Sequence, residues 1–105
     1  MNIAEVGSAM LRAAEAAAGG SWNQIRHDFA SDVRNVLGNA ARIEQQLLAG
    51  ELSEEEAEIL LRNQSRLLFM LSREAAVGGR IVVQNAINAA VDVLWDAVKT
   101  AARAI

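Results

Sequence analysis

RIVVQNAINAAVDVLWDAVKTAARAI, residues Arg80 to Ile105, has the period of an α-helix and carries the richest apolar face in the chain. On a heptad with Ile87 at a, Ile87, Leu94 and Ala101 occupy a, and Val83, Ala90 and Ala97 occupy d. Val91, Val98 and Ile105 then fall at e, and Ala86 and Val93 at g. A helix that meets a single partner needs only a and d apolar. Apolar side chains at a, d, e and g wrap roughly half the surface, so this helix is expected to touch at least two others.

Upstream, Gly78-Gly79 separates this helix from another apolar stretch. Extending an ideal helix through the glycines would turn the two apolar faces roughly 100° apart, at about 100° per residue. One straight helix cannot serve one core that way, so the phase predicts a chain reversal at Val77–Arg80. The helix before it is expected over 54–77, with a main face of Ala57, Leu60, Leu61, Leu67, Leu68, Leu71 and Ala75. Gln64 sits in the middle of that face. Ile59, Met70 and Val77 form a second, thinner apolar line, and Phe69 stands apart from both.

The joint Ala49-Gly50-Glu51-Leu52-Ser53 is the clearest boundary. Gly50 reads as a helix stop. Ser53 with Glu56 reads as a capping box, with Leu52 placed to staple onto Ala57. So short a joint predicts an antiparallel hairpin between this helix and the one before it. That earlier helix is expected over 22–49, opened by a Ser21–Gln24 capping box. Its stripe is Trp22, Ile25, Phe29, Val33, Val36, Ala40, Ile43 and Leu47, widened by Leu37 and Leu48. A first helix over 2–18 buries Ile3, Val6, Met10, Ala14 and Ala17 with Gly7 among them, and Gly19-Gly20 ends it. The fold class expected is therefore all-α: a single domain over 1–105, an antiparallel up-and-down bundle of four helices, a short first helix followed by three long ones.

Composition agrees with that class. The 105 residues include no Pro, and Ala is the commonest residue, which suits helices throughout. A chain of this size buries a core without disulfides or metal. The absence of cysteine excludes disulfide, thiol-redox and zinc-finger chemistry. The net charge of −3, with Glu51, Glu54, Glu55, Glu56 and Glu58 clustered at one helix start, leaves no basic surface for nucleic acid. No stretch reaches the roughly 18 consecutive apolar residues of a transmembrane helix. The N-terminus lacks a basic n-region, and Glu5, Arg12 and Glu15 break any signal-like apolar run. With neither segment evident, the compartment expected by default is the cytoplasm.

The search for chemistry yields little. His27 falls on the polar face of the second helix, sharing it with Ser31 but with no third group to orient a dyad. Gln-Ile-Arg-His offers no Glu three residues before the histidine, so a di-iron bundle site is not expected. Asp92 and Asp96 lie one turn apart, and Lys99 neutralises Asp96 locally. Arg62, Arg66 and Arg73 form a line that Glu58 partly pairs. Neither catalytic residues, metal ligands, a cofactor nor a small-molecule substrate is identified.

What remains is apolar surface beyond the needs of one small bundle. The expected function is therefore non-enzymatic: a structural or assembly module acting through helix-mediated self-association or protein–protein interaction, with a homodimer as the simplest form. Its expected interface residues are Ile59, Phe69, Met70, Val77, Trp95 and Gln64. Trp95 falls between the apolar arc and the polar stripe of the last helix, a position that suits a half-buried ring. The alternative is a membrane-active protein whose amphipathic helices lie on or insert into lipid, against which the polar faces carry few Lys or Arg.

Overall fold

The computed structural model describes residues 1–69 and 80–103. Helix α1 covers Ile3–Ala18, a single 3-10 turn covers Gly19–Ser21, α2 covers Trp22–Leu48, α3 covers Glu54–Leu68 and α4 covers Arg80–Arg103. Every regular element among the described residues is helical, and together they fill 42 × 22 × 17 Å.

Local chemistry explains the boundaries. Asn2 opens α1 by accepting the Glu5 backbone N–H at 3.1 Å, which satisfies one of the free donors of the first turn. The spacing Asn2-Ile3-Ala4-Glu5 carries that signal, although the periodicity alone had placed Asn2 inside the helix. At the other end of α1, Gly19 takes φ 58°, a conformation that costs a residue with a Cβ 1–2 kcal/mol, roughly. The expected Ser21–Gln24 capping box does not form. Ser21 has helical backbone angles where a capping residue needs extended ones, so its side chain caps nothing; the 3-10 turn pairs the Trp22 N–H with the Gly19 carbonyl.

The joint between α2 and α3 forms as the sequence predicts. Gly50 adopts φ 77°. The Glu51 N–H donates to the Gln46 carbonyl at 2.9 Å and the Gly50 N–H to that of Leu47 at 3.2 Å, the paired bonds of a Schellman stop. The Ser53 Oγ accepts the Glu56 N–H at 3.1 Å while the Glu56 carboxylate accepts the Ser53 N–H at 2.9 Å, completing the capping box. Leu52 is half-buried against the core and Ala57 is buried.

The core gathers Met10 and Ala14 from α1, Ile25, Phe29, Val33, Val36, Leu37, Ala40 and Ile43 from α2, Ala57 and Leu61 from α3, and eight residues of α4 from Val83 to Val98. The stripe read for α2 is the stripe that is buried, except that Leu48 at its end is exposed. On α1 the arc is turned towards Gly7 and Ala18, leaving Ile3 and Ala17 exposed. Gly7 faces α2: a Cβ there would lie 3.1 Å from Leu37 Cδ1 and 3.9 Å from Val33 Cγ1, so a side chain would fit only if Leu37 gave way by a few tenths of an ångström.

Several chain ends meet. The N-terminal ammonium lies 3.7 Å from Glu44 near the end of α2. Phe29 in the first part of α2 packs on Phe69 at the end of α3, ring centres 4.7 Å apart. Glu54, the first residue of α3, pairs with Arg103, the last of α4. Val6 of α1 lines a shallow groove with Ala97 and Ala101 of α4. Helix α1 packs more extensively on α4 than on α2.

Helix α3 departs most from expectation. It ends at Leu68, where Phe69 turns out of the helical region with ψ 74°. The expected continuation to Val77 is thus corrected, and so is the expected proportion of one short and three long helices: α1 and α3 have 16 and 15 residues, α2 and α4 have 27 and 24. Met70, Leu71, Arg73, Ala75, Val77 and the reversal at 77–80 lie outside the described residues. Phe69 is 1% exposed; ending the helix lets its ring swing onto Phe29, and Trp22 meets Phe29 edge-on at 5.6 Å.

Candidate functional site

The phase of α3 decides which of its side chains are free. Its buried arc is Ala57, Leu61 and Ser65, rotated from the arc expected around Gln64. Small side chains at Ala57 and Ser65 let this side of α3 fit closely, whereas Leu67 lies about 120° round from Leu61 and Ile59 about 160°. Ile59 is accordingly 62% and Leu67 70% exposed, with the exposed Asn63 midway between them in sequence.

Of the expected interface residues, Ile59 is on the surface, as is Leu67, which had been placed in the core face. Phe69 and Trp95 are 1% and 6% exposed, so both rings are used within the chain and offer almost no area to a second one. Trp95 lies at the margin of α4's apolar arc and closes over the core instead of remaining half-wet. The a, d, e and g surface of α4 is largely consumed in the same way, with Val83, Ala86, Ile87, Ala90, Val91, Leu94 and Val98 all buried. Gln64 is half-buried at the edge of the arc and its amide makes no hydrogen bond among the described residues. The polar residue inside is its neighbour Ser65, whose fully buried hydroxyl has no partner among the described residues. Met70 and Val77 lie outside the described residues.

One flank of α3 is tied to α4 by charge. Arg62 donates from Nε to Glu58 at 2.9 Å and from Nη1 to Asp92 at 2.8 Å. The hydrogen bond to Asp92, chiefly, raises the guanidinium's pKa above its ordinary value, the bond to Glu58 adding to it. Arg103 grips Glu54 with two nitrogens at 2.7 and 2.9 Å, and that hydrogen bonding holds the Glu54 carboxyl below its ordinary range. Glu56 is lowered too, by the backbone hydrogen bond at Ser53. Sequence spacing foresaw the Glu58–Arg62 and Asp96–Lys99 contacts. It missed Arg62–Asp92 and Arg103–Glu54, which join residues far apart in the chain.

His27 is exposed and lines an open groove with Leu11, Trp22, Arg26 and Ala30. That lining combines a cation and an imidazole with apolar side chains, and supplies neither a nucleophile nor a carboxylate to work with the histidine. Among the described residues no group of His, Asp and Glu is placed to hold a metal ion, and no helix is long and apolar enough to cross a membrane. Among the described residues, the outer face of α3 carries the two most exposed large aliphatic side chains, Ile59 and Leu67. No family model, curated protein or solved structure matches the chain.

Proposed function

We propose that the protein is a non-enzymatic helical interaction module that works by self-association, with the outer face of α3 as its contact surface. One observation carries the reading: Ile59 and Leu67, two large aliphatic side chains on one short helix, stand mostly in water. Together they make that face of α3 the largest concentration of exposed aliphatic side chains on any described helix. The helices are read as an antiparallel up-and-down bundle of four. Support comes from the ends that meet: Met1 with Glu44, Phe29 with Phe69, and Glu54 with Arg103. In that arrangement the outer face of α3 points away from its neighbours.

Burying Ile59 and Leu67 contributes about 1.5–3 kcal/mol per side chain at most. Association costs of roughly 4–15 kcal/mol oppose this. A symmetric pair buries both residues from each copy, about 6–12 kcal/mol at most, which is of the same size as that cost, so the complex proposed is a weak one.

Sedimentation tests this directly. Wild type at about tens of micromolar is expected to sediment as a dimer. Replacing Ile59→Glu and Leu67→Glu together is expected to give a monomer with an unchanged helical circular-dichroism signal, since both positions are exposed. A monomeric wild type at those concentrations overturns the reading.

A further inference from the structure

Resting on that self-association, we infer that two copies pair through α3 about a two-fold axis passing at Asn63, so that Ile59 of each copy packs against Leu67 of the other. Ile59 and Leu67 each lie four residues from Asn63, one on either side. A rise of about 1.5 Å per residue puts each roughly 6 Å from it along the helix. Rotation by a half-turn about an axis at Asn63 therefore exchanges the two apolar positions, and the patch is complementary to itself.

The charges follow the same reversal. Glu55 and Glu56 lie at the N-terminal end of the face and Arg66 at its C-terminal end. Among the described residues Glu55 and Arg66 make no ion pair. Two copies running in opposite directions lay the acidic end of one along the Arg66 end of the other; a parallel pair would set like against like. Opposed helix dipoles favour the same choice. At the axis two Asn63 side chains face each other, and an amide, having both donors and an acceptor, hydrogen-bonds its own copy. Asparagine in an apolar helix seam fixes register in this manner.

The chain has no cysteine, so single thiols report the register without interference. Asn63→Cys is expected to form a disulfide with itself under mild oxidation, because a residue on the axis brings two sulfurs within bonding range. A mixture of Ile59→Cys and Leu67→Cys is expected to give the mixed disulfide in preference to either homodisulfide. Arg34→Cys, on the exposed side of α2, sets the rate of random encounter. Pairing in the interface should exceed that rate by at least about ten-fold, since docking makes the reaction effectively intramolecular. If wild type sediments as a dimer and either preference is missing, the register is overturned and self-association stands. A wild type that sediments as a monomer overturns both.

Discussion

Helices α2 and α3 are joined by five residues and built on different terms. Helix α2 is 27 residues long and buries seven aliphatic or aromatic side chains along one stripe. Helix α3 is 15 residues long and buries Ala57, Leu61 and Ser65. What α3 lacks in buried area it partly replaces with polar devices: a complete capping box, the Arg62 bridge to Asp92 and the Arg103 clamp on Glu54. Exposed ion pairs contribute little, a median of about 0–1 kcal/mol. Helix α3 leaves Ile59 and Leu67 on its outer face, whereas α2 turns nearly all its large aliphatic side chains into the core. The contrast places the largest pair of exposed aliphatic side chains on α3, among the described residues.

The sharpest way to break the contrast is to remove a large side chain from each helix. Phe29, fully buried between Trp22 and Phe69, is expected to cost about 3–5 kcal/mol when changed to Ala. Leu67→Ala, on the outer face of α3, is expected to change monomer stability by no more than about 0.5 kcal/mol. Urea unfolding of both variants at concentrations below association measures this. Comparable losses from the two would mean that α3 is as deeply packed as α2.

A smaller effect of opposite sign is expected inside α3. The Ser65 hydroxyl is buried without a partner among the described residues, and a buried unsatisfied polar group costs energy. Ser65→Ala should therefore stabilise the fold by about 1 kcal/mol, since it removes that cost and Ala is the better helix former. A loss of stability in thermal or chemical unfolding would show instead that the hydroxyl is bonded.

The smallest effect concerns pH. The Arg103 hydrogen bond lowers the Glu54 pKa in the folded chain. A carboxyl depressed on folding stabilises above its unfolded pKa, and that contribution is lost as pH falls through the folded value. At neutral pH, Glu54→Gln should melt slightly below wild type, and the gap should close on acidification through the carboxylate range. A gap that persists in acid would assign the difference to packing at the end of α3 and not to the ion pair.

The stops and starts encoded in a few adjacent residues were legible in the sequence, as at Gly50 with Ser53 and Glu56. So were the stripes of α2 and α4, whose polar faces are wide enough to fix the phase. Helix α3 was harder. Its apolar residues spread round most of the circumference, and several rotations then satisfy the pattern equally; the one adopted favours the close fit of Ala57 and Ser65 over the greater hydropathy of Leu67. The Ser21 box failed because the 3-10 turn holds Ser21 at helical backbone angles, whereas a capping hydroxyl reaches its N–H from extended ones. Phe69 lies off the faces of α3 because the helix ends before it, and its ring is buried on Phe29. Of the interface residues expected, Ile59 is exposed, Phe69 and Trp95 are buried and Gln64 is half-buried, while Leu67, expected in the core face, is exposed because α3 is rotated towards Ala57 and Ser65.

Helix α1 finds its most extensive contact on α4, across all the intervening sequence. A ribosome makes α1 first and α4 after α2 and α3. Until then the small-residue face of α1, with Gly7, Ala14 and Ala18, has only α2 to rest on. Closing the first segment onto the last brings together residues of large sequence separation, which slows folding relative to neighbour-only helical topologies. Newly made chains should therefore pass through a stage in which α2 and α3 have paired across the Gly50 turn while α1 still waits for its main partner.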